Sequence, residues 1–71
     1  MSPAIIELTA PGISCGKCKE NIEVDLAGEP GVEQVTVDVA TQRIRIAYDQ
    51  HRTSPAQLRA RLGEIGYPAA P

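Results

Sequence analysis

Two short runs of alternating residues constrain the fold more than any other feature of the chain. Apolar side chains occupy every second position, namely Val35, Val37 and Val39 in the first run and Ile44, Ile46 and Tyr48 in the second. Such alternation is typical of strands with one buried and one solvent-facing side. Because only Ala40-Thr41-Gln42 separates the runs, we predict an antiparallel hairpin.

A third strand and a helix are predicted before this hairpin. Residues Ala4 to Ala10 alternate in the same way, which turns Ile5 outward, and Pro11-Gly12 then ends the strand. Apolar residues recur at every fourth position from about Lys17 to Ala27, as expected for an amphipathic helix.

A second helix is predicted after the hairpin. Ser54 is followed by Pro55 and by Gln57 three positions on, the pattern of a capping box with proline at the first helical position. Leu58, Leu62 and Ile65 form its buried stripe, and Gly66 is a helix stop. The remaining segment, 67–71, supplies at most the stub of a last strand because it contains two prolines.

The order of these elements predicts an α+β fold. We expect a ferredoxin-like βαββαβ open-faced sandwich, with an antiparallel sheet, two helices on one face and a short final strand. A chain of 71 residues is enough for one small domain, 1–71, with a core of about 4–68.

Composition argues against several functions. The net charge is −2 and the chain has two Tyr but no Phe or Trp, so the aromatic and basic surface of a nucleic-acid partner site is missing. No apolar run approaches the roughly 20 residues that span a bilayer. We therefore expect no nucleic-acid partner, no membrane insertion and a cytoplasmic location.

The two cysteines are the strongest chemical signal. Cys15 and Cys18 form a Cys-x-x-Cys pair where a strand gives way to a helix. A helix N-terminus and the charge of Lys17 both favour thiolates, which are soft ligands for copper(I), zinc and mercury-like ions. Structural zinc sites have four protein ligands, whereas copper(I) can be bound by two thiolates. The predicted topology places the only histidine, His51, at the opposite end of the domain, and places the Ala40-Thr41-Gln42 turn and Tyr67 beside the cysteine loop.

Two other interpretations of the cysteine pair stay open. The cysteines could form a local disulfide or be two buried thiols. They could also belong to a small thiol–disulfide oxidoreductase, since thioredoxin-like folds carry the same motif at a helix start. That fold differs in element order and is longer, so we rank redox catalysis below metal transfer.

The chain resembles the heavy-metal-associated domain family, and within it the bacterial copper chaperones. The resemblance covers nearly the whole chain and rests on Gly12-Ile13-Ser14-Cys15-Gly16-Lys17-Cys18, Gly31-Val32, Val35-Thr36-Val37-Asp38 and Ile65-Gly66-Tyr67. It implies copper(I) held by Cys15 and Cys18 and delivered by ligand exchange to a metal-transporting P-type ATPase.

Five further residues are candidates for supporting the metal ligands. Ile13 stands where the family usually has Met, a side chain that packs below the loop. Ser14 either caps the helix or donates toward a thiolate, and Gly16 either permits loop movement or relieves crowding. Lys17 either steers an acidic partner or is only solvated. Tyr67 either hydrogen-bonds near a thiolate or plugs the core.

Metal transfer by ligand exchange requires no catalytic turnover, so we expect a binding protein and not an enzyme. The chain could be a separate chaperone or the excised N-terminal metal-binding domain of a copper or heavy-metal ATPase. Zinc or mercury could replace copper(I), and two copies could share metal as a homodimer.

Overall fold

Three strands and two helices make up residues 3–70, the part of the chain that the computed structural model describes. In chain order they are β1 (Ala4–Thr9), α1 (Gly16–Ala27), β2 (Val32–Asp38), β3 (Arg43–Tyr48) and α2 (Pro55–Glu64). The predicted element types and order are thus confirmed up to α2.

β3 is the central strand of the sheet. The strand order is β1-β3-β2, and both neighbours run antiparallel to β3. At one end of the sheet Arg43 pairs with Thr9 and with Asp38, so the end of β1 and the β2–β3 turn lie side by side. The loop that carries the cysteines begins at this end.

The core lies on one face of the sheet. Buried residues from all three strands and both helices form a single cluster: Leu8, Ala10, Ile13, Ile22, Leu26, Val37, Ile44, Ile46, Tyr48, Leu58 and Leu62. Ile5 points to the other face and is 55% exposed, as its place in the alternation predicts. The helices therefore cover one face only, which confirms the open-faced sandwich.

β2 begins earlier than its alternation indicates. The predicted run starts at Val35, but the strand already pairs with β3 from Val32, and the register shifts between Val32 and Gln34. This bulge places an extra residue in β2 and interrupts the alternation of apolar and polar side chains from which the strand is predicted. The strand ends at Asp38, whose carboxylate accepts the amides of Ala40 and Thr41 at 3.0 and 3.4 Å and so closes the turn.

The N-terminus of α2 follows half of the predicted capping box. The Ser54 hydroxyl accepts the amide of Gln57 at 3.3 Å, and Pro55 occupies the first turn. The Gln57 side chain does not return to the cap; its Oε1 atom accepts the Thr53 hydroxyl at 3.2 Å. Neither helix within residues 3–70 is long and apolar enough to cross a membrane.

The expected short final strand is reduced to a single backbone hydrogen bond. The amide of Ala70 donates to the carbonyl of Thr9 at 2.6 Å, and residues 67–70 adopt no strand. Pro68 has no amide with which to extend a ladder along β1. Pro71, the other residue predicted to weaken this strand, lies outside the described residues.

Gly31 makes the close turn between α1 and β2 possible. Its φ is +91°, and a Cβ atom there would lie 2.9 Å from Cβ of Arg52 and 3.1 Å from Cγ2 of Thr53. Its carbonyl accepts the amide of Asp49 at 2.7 Å, which ties the start of β2 to the segment after β3. A side chain here would clash as well as strain the backbone.

We expect Gly31→Ala to lower the free energy of unfolding by about 3 kcal/mol, from the left-handed backbone and from overpacking together. Gly63 is the matched control, since it lies inside α2 and a Cβ there meets nothing within 4 Å. Gly63→Ala should raise the free energy of unfolding by about 0.5–1 kcal/mol. Urea denaturation of both variants measures the difference; equal stabilities would contradict the role given to Gly31.

Candidate metal centre

The two cysteines lie together at the start of α1. Cys15 has an extended backbone and is the N-cap residue, and Cys18 is in the first turn. Their Sγ atoms are 3.4 Å apart and both thiols are free. Cys15 is exposed and Cys18 is partly covered by its neighbours. The disulfide and the two buried thiols considered above therefore do not describe this structure.

Cys18 is surrounded by hydrogen-bond donors that favour its thiolate. The largest contribution is a hydrogen bond from the side chain of Tyr67, followed by the backbone of Ser14 and the thiol of Cys15. Together they lower the pKa of Cys18 to about 6. At neutral pH Cys18 is thus mostly ionised, the form in which sulfur binds metal and attacks electrophiles.

Tyr67 reaches Cys18 because of the way α2 ends. Gly66 has a φ of +95°, its amide donates to Gly63 at 3.3 Å, and the amide of Tyr67 donates to Leu62 at 2.8 Å. This pair of bonds is a Schellman motif, in which a left-handed glycine turns the chain back across the helix end. Gly66 therefore directs Tyr67 toward the cysteine loop.

The Tyr67 ring also touches the loop itself. A Cβ atom on Gly12 would lie 3.8 Å from Cδ1 of Tyr67, so the ring covers this part of the loop. The pKa of the Tyr67 hydroxyl is raised, chiefly because it donates to Cys18, while a hydrogen bond with the Asn21 side chain acts in the opposite direction. Both roles considered for Tyr67 have support, since its side chain lowers the pKa of Cys18 and its ring packs against the buried core.

The other predicted supporting residues have different surroundings. Ile13 is 1% exposed and packs in the core below the loop. Ser14 does not cap α1, because Cys15 takes the N-cap position and no side chain caps it. Its backbone faces Cys18 instead. Gly16 and Lys17 are exposed, and a Cβ on Gly16 would meet nothing within 4 Å.

The two sulfurs are closer together than a linear two-thiolate site requires. Two sulfurs on opposite sides of one metal ion, each at the 2.3 Å typical of zinc–sulfur bonds, would be about 4.6 Å apart. At the observed 3.4 Å a linear site would require the sulfurs to separate, whereas a bent site would not. A Cβ atom on Gly16 would meet nothing within 4 Å, so no neighbour packs against this residue.

No further ligand completes the pair within residues 3–70. No group of three or more His, Cys, Asp or Glu side chains there could hold a metal ion. His51 follows β3 at the Tyr48 end, which pairs with Ala4, whereas the cysteine loop follows Thr9 at the other end. About 17 Å of strand separates the two ends, as the predicted topology required.

Sequence reasoning missed two residues of this region. Asn21 lies one helical turn after Cys18, a spacing that could have indicated its contact with the site. Gln42 donates its side-chain amide to the carbonyls of Pro11 and Ile13, at 2.9 and 2.8 Å. The predicted topology places the turn that contains Gln42 beside the cysteine loop, but the alternating pattern does not indicate these two hydrogen bonds.

Comparison with known protein families matches residues 7–68 to the heavy-metal-associated domain. The chain belongs to the heavy-metal-associated domain family. This domain carries its cysteine pair within the matched segment, and the family resemblance inferred from the sequence motifs is thereby confirmed.

Curated relatives of this heavy-metal-associated domain include chaperones and ATPases. The copper chaperone CopZ of Staphylococcus haemolyticus is 32% identical over 60 residues, covering 84% of this chain and 88% of the chaperone. A copper-exporting P-type ATPase of Staphylococcus saprophyticus is 37% identical and a zinc-transporting ATPase of Synechocystis is 33% identical, over 92% and 90% of this chain. The domain spans only 8% and 9% of these two ATPases.

Solved structures share the same fold. A CopZ metallochaperone superposes on the domain with a TM-score of 0.90 at 25% identity, covering 94% of this chain and 100% of the other. Oxidized MerP from Ralstonia metallidurans CH34 gives a TM-score of 0.90 at 25% identity, covering 97% and 96%. These structures confirm the ferredoxin-like architecture.

Removing the Tyr67 hydroxyl should raise the pKa of Cys18. In Tyr67→Phe the thiolate loses its largest stabilising contact, so the midpoint of its pH–alkylation profile should rise from about 6 by about one pH unit. Rates of iodoacetamide labelling at Cys18, assigned by mass spectrometry, measure this. Tyr48→Phe, at the far end of the sheet, should leave the midpoint unchanged; equal midpoints in the two variants would disprove the contact.

Proposed function

We propose that this domain carries copper(I) between its two cysteine thiolates and passes it to a metal-transporting P-type ATPase. The observation that carries the proposal is the pair of free thiols, 3.4 Å apart at the start of α1, with Cys15 exposed. The hydrogen bonds that lower the pKa of Cys18 to about 6 support it. Its likeness to a copper chaperone over most of both chains supports the same role.

The number of ligands favours copper(I). Two thiolates are a small, soft donor set, and structural zinc needs four protein ligands. Within residues 3–70 no cluster of three or more metal-binding side chains supplies the rest. Zinc, for which a transporting ATPase relative is known, and mercury are the competing metals. Zinc would need ligands from a second molecule or from solvent to complete four. Mercury(II), like copper(I), accepts two thiolates, so the ligand number separates copper(I) from zinc but not from mercury.

An exposed pair of ligands suits transfer. A thiolate of the acceptor forms a bond to the metal while one of the two bonds to Cys15 or Cys18 breaks, and the protein sulfur is released as a thiolate or takes a proton. Cys15 is the more exposed ligand, so it is the one that an acceptor reaches first. The exchange is stoichiometric, and on this proposal the domain is not an enzyme.

The setting of the domain has two candidates. As a separate chaperone it would work in the cytoplasm and meet the ATPase as a partner. Since it is also similar to a short segment of copper-exporting ATPases, it could instead be the metal-binding domain of such a transporter. In both settings the cysteine pair does the same chemistry. A metal-bridged homodimer would join two such pairs.

A thiol–disulfide oxidoreductase remains the second candidate from another class. The observation in its favour is the lowered pKa of Cys18, which an attacking thiol also needs. Reduction of insulin disulfides at the rate of a dedicated oxidoreductase would support it, and inactivity in that assay would reject it.

Copper(I) competition tests the proposed site. With a chelator competing for the metal, Cys15→Ser and Cys18→Ser should each lose more than about a hundredfold in affinity, because even changes around a ligand cost about 10–100-fold. His51→Ala is the matched control, a possible ligand at the far end of the sheet, and should bind as the parent does. Parent-like binding by either cysteine variant would refute the two-thiolate site.

A further inference from the structure

The loop that carries the cysteines is held from across the fold by one side chain. Gln42, in the β2–β3 turn, donates its Nε2 amide to the carbonyls of Pro11 and Ile13 at 2.9 and 2.8 Å. Its own carbonyl accepts the amide of Ala10 at 2.9 Å. Three hydrogen bonds thus join a single turn residue to the segment 10–13, which we call the loop base.

The loop base is rigid in other ways as well. The amide of Ile13 donates to Ala10 at 3.1 Å and closes a tight turn. The side chains of Ala10 and Ile13 are 0% and 1% exposed. In such a turn the carbonyls of Pro11 and Ile13 have no strand or helix partner, and the Gln42 amide satisfies both.

The rest of the loop is held only from the start of α1. Residues 14–16, which we call the loop tip, are exposed, and a Cβ on Gly16 would meet nothing within 4 Å. The Cys15 carbonyl accepts the amide of Lys19 at 3.3 Å, and the backbone of Ser14 hydrogen-bonds to Cys18. The hydrogen bonds from Gln42 stop two residues before Cys15, so restraint from the β2–β3 turn ends at Ile13.

Gln42 makes these contacts from an energetically unfavourable backbone conformation. Its φ of 60° places it in the left-handed region, and Gln42 is the only residue other than glycine within 3–70 with a positive φ. Glycine or asparagine adopts this conformation more readily. Glutamine is less favourable than glycine in this backbone conformation, but its side-chain amide is long enough to reach both carbonyls.

We propose that Gln42 is a positioning residue for the cysteine pair: its amide fixes the loop base, so that opening for a metal ion is confined to the loop tip. Cys18 is held by α1, and Cys15 is joined to the loop base through Ser14. With the loop base fixed, movement of Cys15 is limited to the three residues of the loop tip. The sulfur of Cys15 therefore stays close to the sulfur of Cys18. The consequence for metal binding rests on the function proposed above.

Gln42→Gly and Gln42→Asn test the proposal while keeping the turn. Both suit a left-handed backbone, but glycine has no amide side chain and asparagine is one methylene too short to reach both carbonyls. In the metal-free protein, amide hydrogen exchange at Ala10 and Ile13 should quicken about tenfold, the net worth of about one hydrogen bond. Exchange at Ile22 in α1 should stay as in the parent.

Copper(I) affinity is the second measurement on the same variants. It should fall about tenfold in both, because a looser base spreads Cys15 over positions that do not bind. Gln50→Gly, in the exposed turn after β3, is the control and should change neither exchange nor affinity. A purely structural role for Gln42 would instead lower stability throughout and quicken exchange at Ile22 as well.

Three results would overturn the proposal. Parent-like exchange at Ala10 and Ile13 would show that the amide holds nothing, and equal acceleration at Ile22 would show a general loss of stability. Faster exchange with affinity within twofold of the parent would show that the base does not position the cysteines. If the parent itself binds no copper(I), the proposed function fails. The disulfide equilibrium of Cys15 and Cys18 with glutathione, which needs no metal, then replaces the affinity measurement.

Discussion

The antiparallel pairing of β3 with both of its neighbours is the constraint on which the other features depend. Because Arg43 pairs with Thr9 on one side and Asp38 on the other, the end of β1 and the β2–β3 turn meet at the same edge. The cysteine loop and the turn residue Gln42 are therefore neighbours although 29 residues separate Gln42 from Ile13. The same pairing keeps the segment after Tyr48 away from the cysteines.

The chemistry of the cysteine pair comes largely from residues outside the motif. Tyr67 most strongly favours the Cys18 thiolate, and it is brought there by the left-handed Gly66 at the end of α2. Ser14, inside the motif, contributes through its backbone and not through its hydroxyl. A Cys-x-x-Cys loop on its own therefore supplies two thiols, while the folded domain determines how readily one of them ionises.

The sequence predicted what depends on side-chain periodicity and missed what depends on backbone geometry. Alternation placed the strands and turned Ile5 outward, and the order of the elements placed Tyr67 and the Ala40-Thr41-Gln42 turn beside the cysteines. The bulge at Val32 was not predicted because an extra residue interrupts the alternation of apolar and polar side chains. The cap was assigned to Ser14 as one alternative because serine is a common N-cap, yet the chain enters α1 one residue later. The role of Gln42 needs a backbone angle and a contact across the fold, neither of which leaves a pattern.

The Schellman motif at the end of α2 has a consequence for when, during synthesis, Cys18 acquires its lowered pKa. Synthesis proceeds from the N-terminus, so Cys15 and Cys18 are made before Tyr67. A nascent chain that ends before Gly66 can present both thiols, but its Cys18 lacks the contact that most lowers its pKa. Full thiolate character thus requires α2 and the residue that follows Gly66, so the ionisation of Cys18 reports that this part of the domain is in place.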